Sequence, residues 1–258
     1  MRADALFVMN RTHKPDASSH GFVQEVDPLR YDGQRNEPNE VVAVVCDMVP
    51  ESARVLDVGC GTGSVSLQVS QTRSATVIGV EPDEARASLA RARGLDVRCN
   101  VLTPELITEL GAFDIVLFAD VLEHLVDPAS MLELAKTALG PGGKIVASVP
   151  NVAHWSVRAD LLRGRFTYRE YGIMDATHLR WFTETSLHGL FASSGLTIET
   201  QRVTAGVDLQ CYTERAPWKQ IPRAARARFL GRAIRLRPLL FGCQLVVRSG
   251  PKSVGTAP

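Results

Sequence analysis

The stretch VLDVGCGTG, residues 55–63, decides the fold of this 258-residue chain. An apolar strand pattern leads to Asp57, and glycines at positions 59, 61 and 63 open the helical pattern that follows. Glycine permits a tight turn from strand to helix, and it lets the backbone approach a ligand where a Cβ atom would collide. The stretch therefore predicts a ligand-binding loop between a strand and a helix.

Strand patterns and helical patterns alternate around this loop. Short Val, Ile and Leu runs separated by helical segments predict a doubly wound, mostly parallel sheet with helices on both faces. The predicted strands are 54–58, 75–80, 96–99, 113–118, 144–149, 196–203 and 241–247. The predicted helices are 39–48, 63–71, 83–93, 128–139, 153–162 and 184–194. The fold class is thus α/β.

The composition is that of an ordinary soluble protein, with 45% hydrophobic and 22% charged residues. Lys and Arg (29) balance Asp and Glu (28), so net charge does not indicate a general nucleic-acid binder. The apolar patch at residues 6–9 is too short for the core of a signal peptide. Five scattered cysteines without a CxxC pair indicate reduced thiols. We expect a cytoplasmic protein, with the membrane periphery as a candidate location.

Three segments differ in character along the chain. Residues 1–36 are predicted to form a polar cap, residues 37–250 a single domain, and residues 251–258 a disordered tail. Within the domain, residues 206–238 form an insertion before the last strand. Residues 215–237 of this insertion hold eight Arg and Lys and no acidic residue. Its Phe229, Leu230, Ala233, Ile234 and Leu236 are predicted to form one apolar helical stripe.

An acidic residue follows the second predicted strand, where a nucleoside ligand would meet the sheet. Glu81 lies 18 residues after Gly63 and can accept hydrogen bonds from both hydroxyls of a ribose. Ser64 occupies the place of the third glycine of a dinucleotide fingerprint, which disfavours a nicotinamide oxidoreductase. The carboxylate of Asp57 suits a ligand that carries an ammonium group better than one that carries a pyrophosphate.

Together, residues 57–63, Glu81 and the segments 113–124 and 141–151 resemble the class I S-adenosylmethionine-dependent methyltransferases, over roughly residues 40–200. The resemblance implies a Rossmann-like seven-stranded sheet with an antiparallel last strand, an N-terminal helical cap and S-adenosylmethionine as cofactor. Asn100 stands where this family often has an aspartate that binds adenine. The residues expected to contact the cofactor are Asp57, Gly59, Cys60, Gly61, Gly63, Glu81, Pro82, Asn100, Val101, Ala119 and Asp120.

The sequence FADVLEHL, residues 118–125, places two carboxylates and an imidazole after the fourth strand. Its Asp-x-x-Glu-His pattern resembles an element that holds a divalent cation in ubiquinone-biosynthesis O-methyltransferases and in small-RNA 3′-terminal ribose methyltransferases. A downstream histidine in DATHLRWF, residues 175–182, adds a second imidazole. This predicts an Mg²⁺ or Mn²⁺ site. The predicted ligands are Asp120, Glu123, His124 and His178.

Catalysis without a metal is the alternative interpretation of the same residues. His124 or His178 would then act as general base near neutral pH. His154, in PNVAHW after the fifth strand, is the third candidate.

Aromatic and basic side chains follow the fifth strand. Tyr168 and Tyr171 lie close in sequence to Arg163 and Arg165, which suits a sugar, an aromatic ring or a phosphorylated acceptor. The segment THLRWFT is similar to bacterial methyltransferases associated with glycan and antibiotic-sugar assembly. The basic residues 215–237 suit an anionic lipid surface or a phosphosugar, and a dimerisation helix that makes a homodimer is an alternative.

The sequence therefore predicts an O-methyltransferase that acts on a hydroxyl of a small molecule, a glycan or another saccharide. Two alternatives stay open. The first is a 2′-O-methyltransferase of RNA 3′ ends, which is weakened because the chain has no recognisable RNA-binding domain. The second is a catalytically inactive subunit that binds S-adenosylmethionine and serves a partner.

Overall fold

A seven-stranded sheet forms the centre of the protein. The computed structural model describes residues 36–252. The strands are β1 (Arg54–Val58), β2 (Thr76–Val80), β3 (Asp96–Arg98), β4 (Phe113–Ala119), β5 (Leu139–Pro150), β6 (Leu196–Val203) and β7 (Gln244–Pro251). Their order is β3-β2-β1-β4-β5-β7-β6. Strands β1 to β5 pair in parallel, and β7 is antiparallel to β5 and β6. This confirms the predicted fold class.

Helices cover both faces of the sheet. They are α1 (Val41–Met48), α2 (Ser64–Arg73), α3 (Glu84–Ala92), α4 (Pro104–Leu110), α5 (Pro128–Lys136), α6 (Trp155–Leu161), α7 (Glu184–Ser193), α8 (Gln210–Thr213), α9 (Arg223–Leu236) and α10 (Pro238–Phe241). Alternate residues of β1 enter two separate cores. Leu56 and Val58 pack in the larger core, whereas Val55 packs in the core beneath α1.

Three differences between the predicted and the observed elements have a local structural reason. Strand β5 begins at Leu139 rather than at residue 144, because Leu139 still pairs with Phe113 across a register shift. Helix α4 was not predicted, although Thr103 caps it by accepting from Leu106 N at 3.2 Å. The last strand begins three residues later than predicted and includes Pro251, because residues 238–241 form a short helix. Most of the predicted cap (1–35) and of the tail (253–258) lies outside the described residues.

Carboxylates pair with arginines of the basic insertion, although residues 215–237 contain no acidic residue of their own. These carboxylates come from residues outside the 215–237 segment. Arg223 and Arg226 both pair with Asp208, at 2.8 and 3.2 Å. Arg215 pairs with Asp160, at 3.0 Å. The segment is therefore less basic in the folded chain than in the sequence.

The predicted apolar stripe of the insertion holds except at its last residue. Leu230, Ala233 and Ile234 are buried on the inner face of α9. Phe229 is half-exposed, yet its ring packs against Trp218 and Phe241 with centroids 5.2 and 6.4 Å away. Leu236 is 79% exposed and lies outside the stripe. Within residues 36–252, no helix combines the length and apolar character that crossing a membrane requires.

Gly79 in β2 provides a steric test of how the loop packs on the sheet. A Cβ atom at this position would lie 2.5 Å from the Sγ atom of Cys60. We expect Gly79→Ala to lower the free energy of unfolding by about 1–3 kcal/mol through overpacking, as measured by urea denaturation. Cys60→Ala in the same background should recover part of the loss. Gly189→Ala is the matched control, since its Cβ would meet nothing within 4 Å; equal losses at both glycines would contradict the packing.

Candidate cofactor and catalytic site

The glycine loop joins β1 to α2 at the carboxyl edge of the sheet. Gly59, Gly61 and Gly63 all have positive φ, at 73°, 55° and 81°. The amides of Gly59 and Cys60 donate to Val80 O at 2.7 and 3.2 Å, so the loop is held against the end of β2. A Cβ atom at Gly61 would meet nothing within 4 Å, and this part of the backbone faces open space. The loop is therefore shaped to receive a ligand at Gly61.

Glu81 follows β2, and its carboxylate holds the glycine loop through a hydrogen bond. Its side chain is fully buried. Oε2 accepts from Gly61 N at 2.8 Å, and Oε1 accepts from Asp83 N at 3.0 Å. Burial raises the pKa of Glu81, and these two hydrogen bonds oppose the rise. Each carboxylate oxygen can accept a second hydrogen bond, so the group can still bind ribose hydroxyls.

Asp57 presents a buried carboxylate oxygen that has no hydrogen-bond partner within the described chain. Oδ2 accepts from Ser66 Oγ at 2.5 Å, whereas Oδ1 is the unpartnered atom. Burial raises the pKa of Asp57 to about 7, the Ser66 hydrogen bond lowers it, and the charge of Glu81 raises it. A cation placed at Oδ1 would satisfy the atom and favour the ionised carboxylate.

The other residues predicted to contact the cofactor differ in how exposed they are. The Cys60 side chain packs in a small core with Ala87, Ala90 and Val97, so only its backbone belongs to the loop surface. Burial also raises the pKa of the Cys60 thiol. Asn100 is exposed, and its Oδ1 accepts from Val101 N at 2.8 Å. The positions at the ends of β2, β3 and β4 are half-buried; they are Pro82, Val101 and Ala119.

Asp120, a predicted metal ligand, is held by the sheet and does not lie with the other three predicted ligands. It has a left-handed φ of 56°. Its Oδ1 accepts from Ser148 Oγ at 2.7 Å, and its Oδ2 accepts from Gln244 Nε2 at 2.6 Å. Burial raises its pKa, and both hydrogen bonds lower it. Side chains of β5 and β7 engage both oxygens of Asp120, so this geometry does not support Asp120 as a metal ligand.

The remaining three predicted metal residues do come together. One potential ligand atom from each of Glu123, His124 and His178 lies within 4.8 Å of the other two. Glu123 is 1% exposed, and neither of its carboxylate oxygens has a hydrogen-bond partner within residues 36–252. Burial, followed by the charge of Asp120, raises the pKa of Glu123 well above its ordinary value.

Backbone carbonyl groups orient both imidazoles of this cluster. Nδ1 of His124 lies 3.2 Å from Thr177 O, and Nδ1 of His178 lies 3.2 Å from Ile173 O. A carbonyl oxygen can only accept, so each Nδ1 carries a proton, and in the neutral ring the lone pair is on Nε2. The rings meet edge to face with centroids 4.9 Å apart. Both histidines are thus prepared to act as bases or as metal ligands through Nε2.

The sequence analysis missed the residues that hold this arrangement. Asp175 is buried and accepts from both the backbone N and Oγ1 of Thr177, at 2.8 and 2.7 Å. The amides of Leu179 and Arg180 donate to Glu123 O at 2.8 and 3.0 Å, which joins the 175–180 segment to the end of β4. The Asp-x-Thr spacing at 175–177 is a sequence signal for such a turn.

His154 is placed as a structural residue rather than as a base. It is fully buried, and its Nδ1 accepts from Ser156 N at 3.3 Å, capping α6. The ring proton therefore lies on Nε2, which is 3.2 Å from the Tyr212 hydroxyl. Burial lowers the pKa of His154 to about 3. The prediction of a catalytic role for His154 is not supported by this geometry.

The fold and the site together define a class of protein. The sheet order with an antiparallel β7, the glycine loop and Glu81 are those of a Rossmann-like methyltransferase. A family model described as a methyltransferase domain matches residues 33–201, more than half of the chain. The chain belongs to the class I S-adenosylmethionine-dependent methyltransferase family.

The curated proteins that this chain resembles in sequence include O-methyltransferases. The ubiquinone biosynthesis O-methyltransferases of Stutzerimonas stutzeri and Hahella chejuensis are 36% and 34% identical over 135 and 124 residues. The matches cover 50% and 44% of this chain and 53% and 52% of the two relatives, so the chain spans about half the length of each.

Solved structures share the fold at low identity. A methyltransferase from Thermotoga maritima aligns with a TM-score of 0.53 and 18% identity, over 82% of this chain and 87% of that one. The [4+2]-cyclase SpnF aligns with a TM-score of 0.53 and 18% identity, over 83% and 81%. At this identity the likeness concerns the fold alone.

The buried Asp57 makes stability depend on pH in a direction that can be tested. Its pKa is raised from 3.8 to about 7, so between these values the folded state holds a proton that the unfolded chain has lost. Its contribution to the free energy of unfolding therefore falls as pH rises from about 4 to 7. Relative to the unmodified protein, Asp57→Asn should gain stability over this window, by about 2–4 kcal/mol above pH 7.

Urea denaturation at a series of pH values measures this difference. Ser66→Ala is the informative companion, because it removes the hydrogen bond that lowers the pKa of Asp57 and should extend the fall in stability to higher pH. Parallel curves for Asp57→Asn and the unmodified protein from pH 4 to 8 would mean that Asp57 has an ordinary pKa and that burial does not raise it.

Proposed function

We propose that this protein transfers the methyl group of S-adenosylmethionine to a hydroxyl group of a small molecule or glycan. The observation that carries the proposal is the cluster of Glu123, His124 and His178 at the end of β4, the strand next to the one that leads into the glycine loop. The relatives described as O-methyltransferases support the choice of oxygen as acceptor.

The cofactor fits the loop by its chemistry. The methionine ammonium would donate a hydrogen bond to the unpartnered Oδ1 of Asp57. The methionine chain would lie along the open backbone at Gly61. Glu81 would accept from the ribose hydroxyls with its remaining lone pairs. When bound, the cofactor supplies an electrophilic methyl group on a sulfonium.

The chain itself contributes position and a base. Transfer to an acceptor oxygen would form a carbon–oxygen bond and break the carbon–sulfur bond of the cofactor, which would leave as a neutral thioether, so the chain's part is to position the two reactants. The hydroxyl proton moves to Nε2 of His124 or His178, whose Nδ1 protons are held by Thr177 O and Ile173 O. Glu123 beside them stabilises the resulting imidazolium.

A divalent cation is the second way in which the same cluster could assist. One unpartnered carboxylate and two oriented imidazoles are a fitting donor set, and two nitrogen ligands favour Mn²⁺ over Mg²⁺. Glu123, His124 and His178 would hold the ion. Its chemistry there would be to lower the pKa of a bound hydroxyl.

Replacing the two histidines separately tests the proposal. The assay follows methyl-labelled S-adenosylmethionine into lipid, saccharide and RNA pools of an extract of the source cells. His124→Ala and His178→Ala should each lower the rate of label transfer by about 10²–10⁴-fold, the usual effect of losing a general base. The control is His188→Ala, an exposed histidine on α7 that lies outside the cluster.

Each outcome of this assay separates the alternatives. Unchanged rates in both variants would exclude both the general-base role and the metal site. Activity that survives EDTA would exclude the cation, and recovery by Mn²⁺ after EDTA would support it. Label in RNA would favour the RNA 3′-end alternative. Cofactor binding without label in any pool would favour the non-catalytic subunit.

We propose in addition that the outer side of the insertion docks on an anionic lipid surface or phosphosugar carrier. Five of the eight basic residues stay exposed and do not take part in the ion pairs described above; they are Lys219, Arg228, Arg232, Arg235 and Arg237. Three of them, at positions 228, 232 and 235, share one face of α9 at helical spacing.

Vesicle sedimentation tests this docking. The protein should sediment with phosphatidylglycerol vesicles and not with phosphatidylcholine vesicles, and the Arg228→Glu, Arg232→Glu, Arg235→Glu triple variant should lose binding. The loss should be about 100-fold or more, because each of the three basic residues near an anionic surface contributes about 1 kcal/mol. Equal sedimentation with both lipids would contradict the proposal.

A further inference from the structure

A cavity of about 390 Å³ lies between α6 and the insertion, outside the cluster described above. This volume is within the range of about 300–1,000 Å³ typical of small-molecule sites. It is bounded by two tryptophans, three arginines and one aspartate; they are Trp155, Trp218, Arg163, Arg165, Arg215 and Asp160. Such a lining combines flat apolar surface with a concentration of positive charge.

The charge of the cavity favours an anion. Asp160, its only carboxylate among the described residues, already pairs with Arg215 through two contacts of 3.2 and 3.0 Å. Arg163 donates to Ala159 O at 2.7 Å, which anchors it beside the opening. Arg163 and Arg165 are exposed and have no carboxylate partner within residues 36–252, so together they match a doubly charged group such as phosphate.

The indole rings provide a rigid wall beside these guanidinium groups. The centroids of Trp155 and Trp218 are 6.4 Å apart, and the rings are inclined by 39°. Trp155 Nε1 donates to the Tyr212 hydroxyl at 2.7 Å, and the same hydroxyl contacts His154 Nε2. The buried His154–Tyr212 pair therefore positions the wall. A planar ring or the apolar face of a sugar stacks well on an indole held in this way.

The cavity belongs to the half of the sheet opposite the cofactor loop. Its residues follow β5 or precede β7, whereas the cofactor residues follow β1, β2 and β3. A smaller hollow of about 40 Å³ shares Asp160 and Arg215 with the cavity and is lined by Ile173. The carbonyl of Ile173 holds Nδ1 of His178, so one layer of residues connects the cavity to the histidine cluster.

We propose that this cavity binds a phosphorylated ring compound, with the phosphate on Arg163 and Arg165 and the ring against Trp155 and Trp218. The inference concerns binding alone and needs neither cofactor nor methyl transfer. It therefore stands or falls separately from the function proposed above.

Tryptophan fluorescence tests the site directly, because two of the three tryptophans line the cavity. The third is removed by Trp181→Phe. Phenyl phosphate or glucose 1-phosphate should change the emission in a saturable manner, and phenol and methyl glucoside should not. Phenyl phosphate acting alone would identify an aromatic ligand, and glucose 1-phosphate acting alone a sugar. Inorganic phosphate should compete with either.

The variants make the test specific. Arg165→Ala should weaken binding at least about tenfold, the effect of losing a charged hydrogen bond. The control is Arg158→Ala, an exposed arginine on α6 that does not line the cavity. The proposal is overturned if no phosphorylated probe changes the emission. It is equally overturned if Arg158→Ala weakens binding as much as Arg165→Ala, since the effect would then be one of general charge.

Discussion

The buried carboxylate of Glu81 is the constraint on which the cofactor half of this protein depends. It accepts from Gly61 N and Asp83 N, and so joins the glycine loop to the start of α3. Asp83 in turn caps that helix by accepting from Arg86 N at 3.0 Å. Loop, strand end and helix start are therefore fixed to one another by a single side chain. Removing it would leave the half-buried amides of Gly61 and Asp83 without this acceptor.

Burying acidic groups at this edge has a cost in stability. Asp57, Glu81, Asp120 and Glu123 all have raised pKa values, and burial is the first cause in each case. The chain offsets the cost with hydrogen bonds at Glu81 and Asp120 but leaves Oδ1 of Asp57 and both oxygens of Glu123 unpartnered within residues 36–252. Unsatisfied buried carboxylates of this kind are characteristic of sites that await a ligand rather than of a finished core.

The histidine cluster and the cavity beside α6 are assembled differently, from segments far apart in the sequence. The 175–180 segment brings His178 to His124. The insertion contributes Tyr212, Trp218 and Arg215, which meet α6 some 50 or more residues earlier in the chain. His154, a candidate base in the sequence, holds the wall of the cavity instead. Its burial excludes the protonated form, which suits a structural role better than proton transfer.

The sequence by itself determined the sheet, the loop and the residues at the ends of the strands. Apolar runs and glycine spacing are local signals, and the carboxyl ends of parallel strands must share one edge, so Glu81, Glu123 and His124 could be placed there in advance. Only the tertiary structure decided which polar groups share a hydrogen bond. Asp120 accepts a hydrogen bond from Gln244, 124 residues later in the chain, and does not join Glu123, His124 and His178. The arginines of the insertion find carboxylates at Asp160 and Asp208, because ion pairs depend on proximity in space, which sequence spacing does not specify.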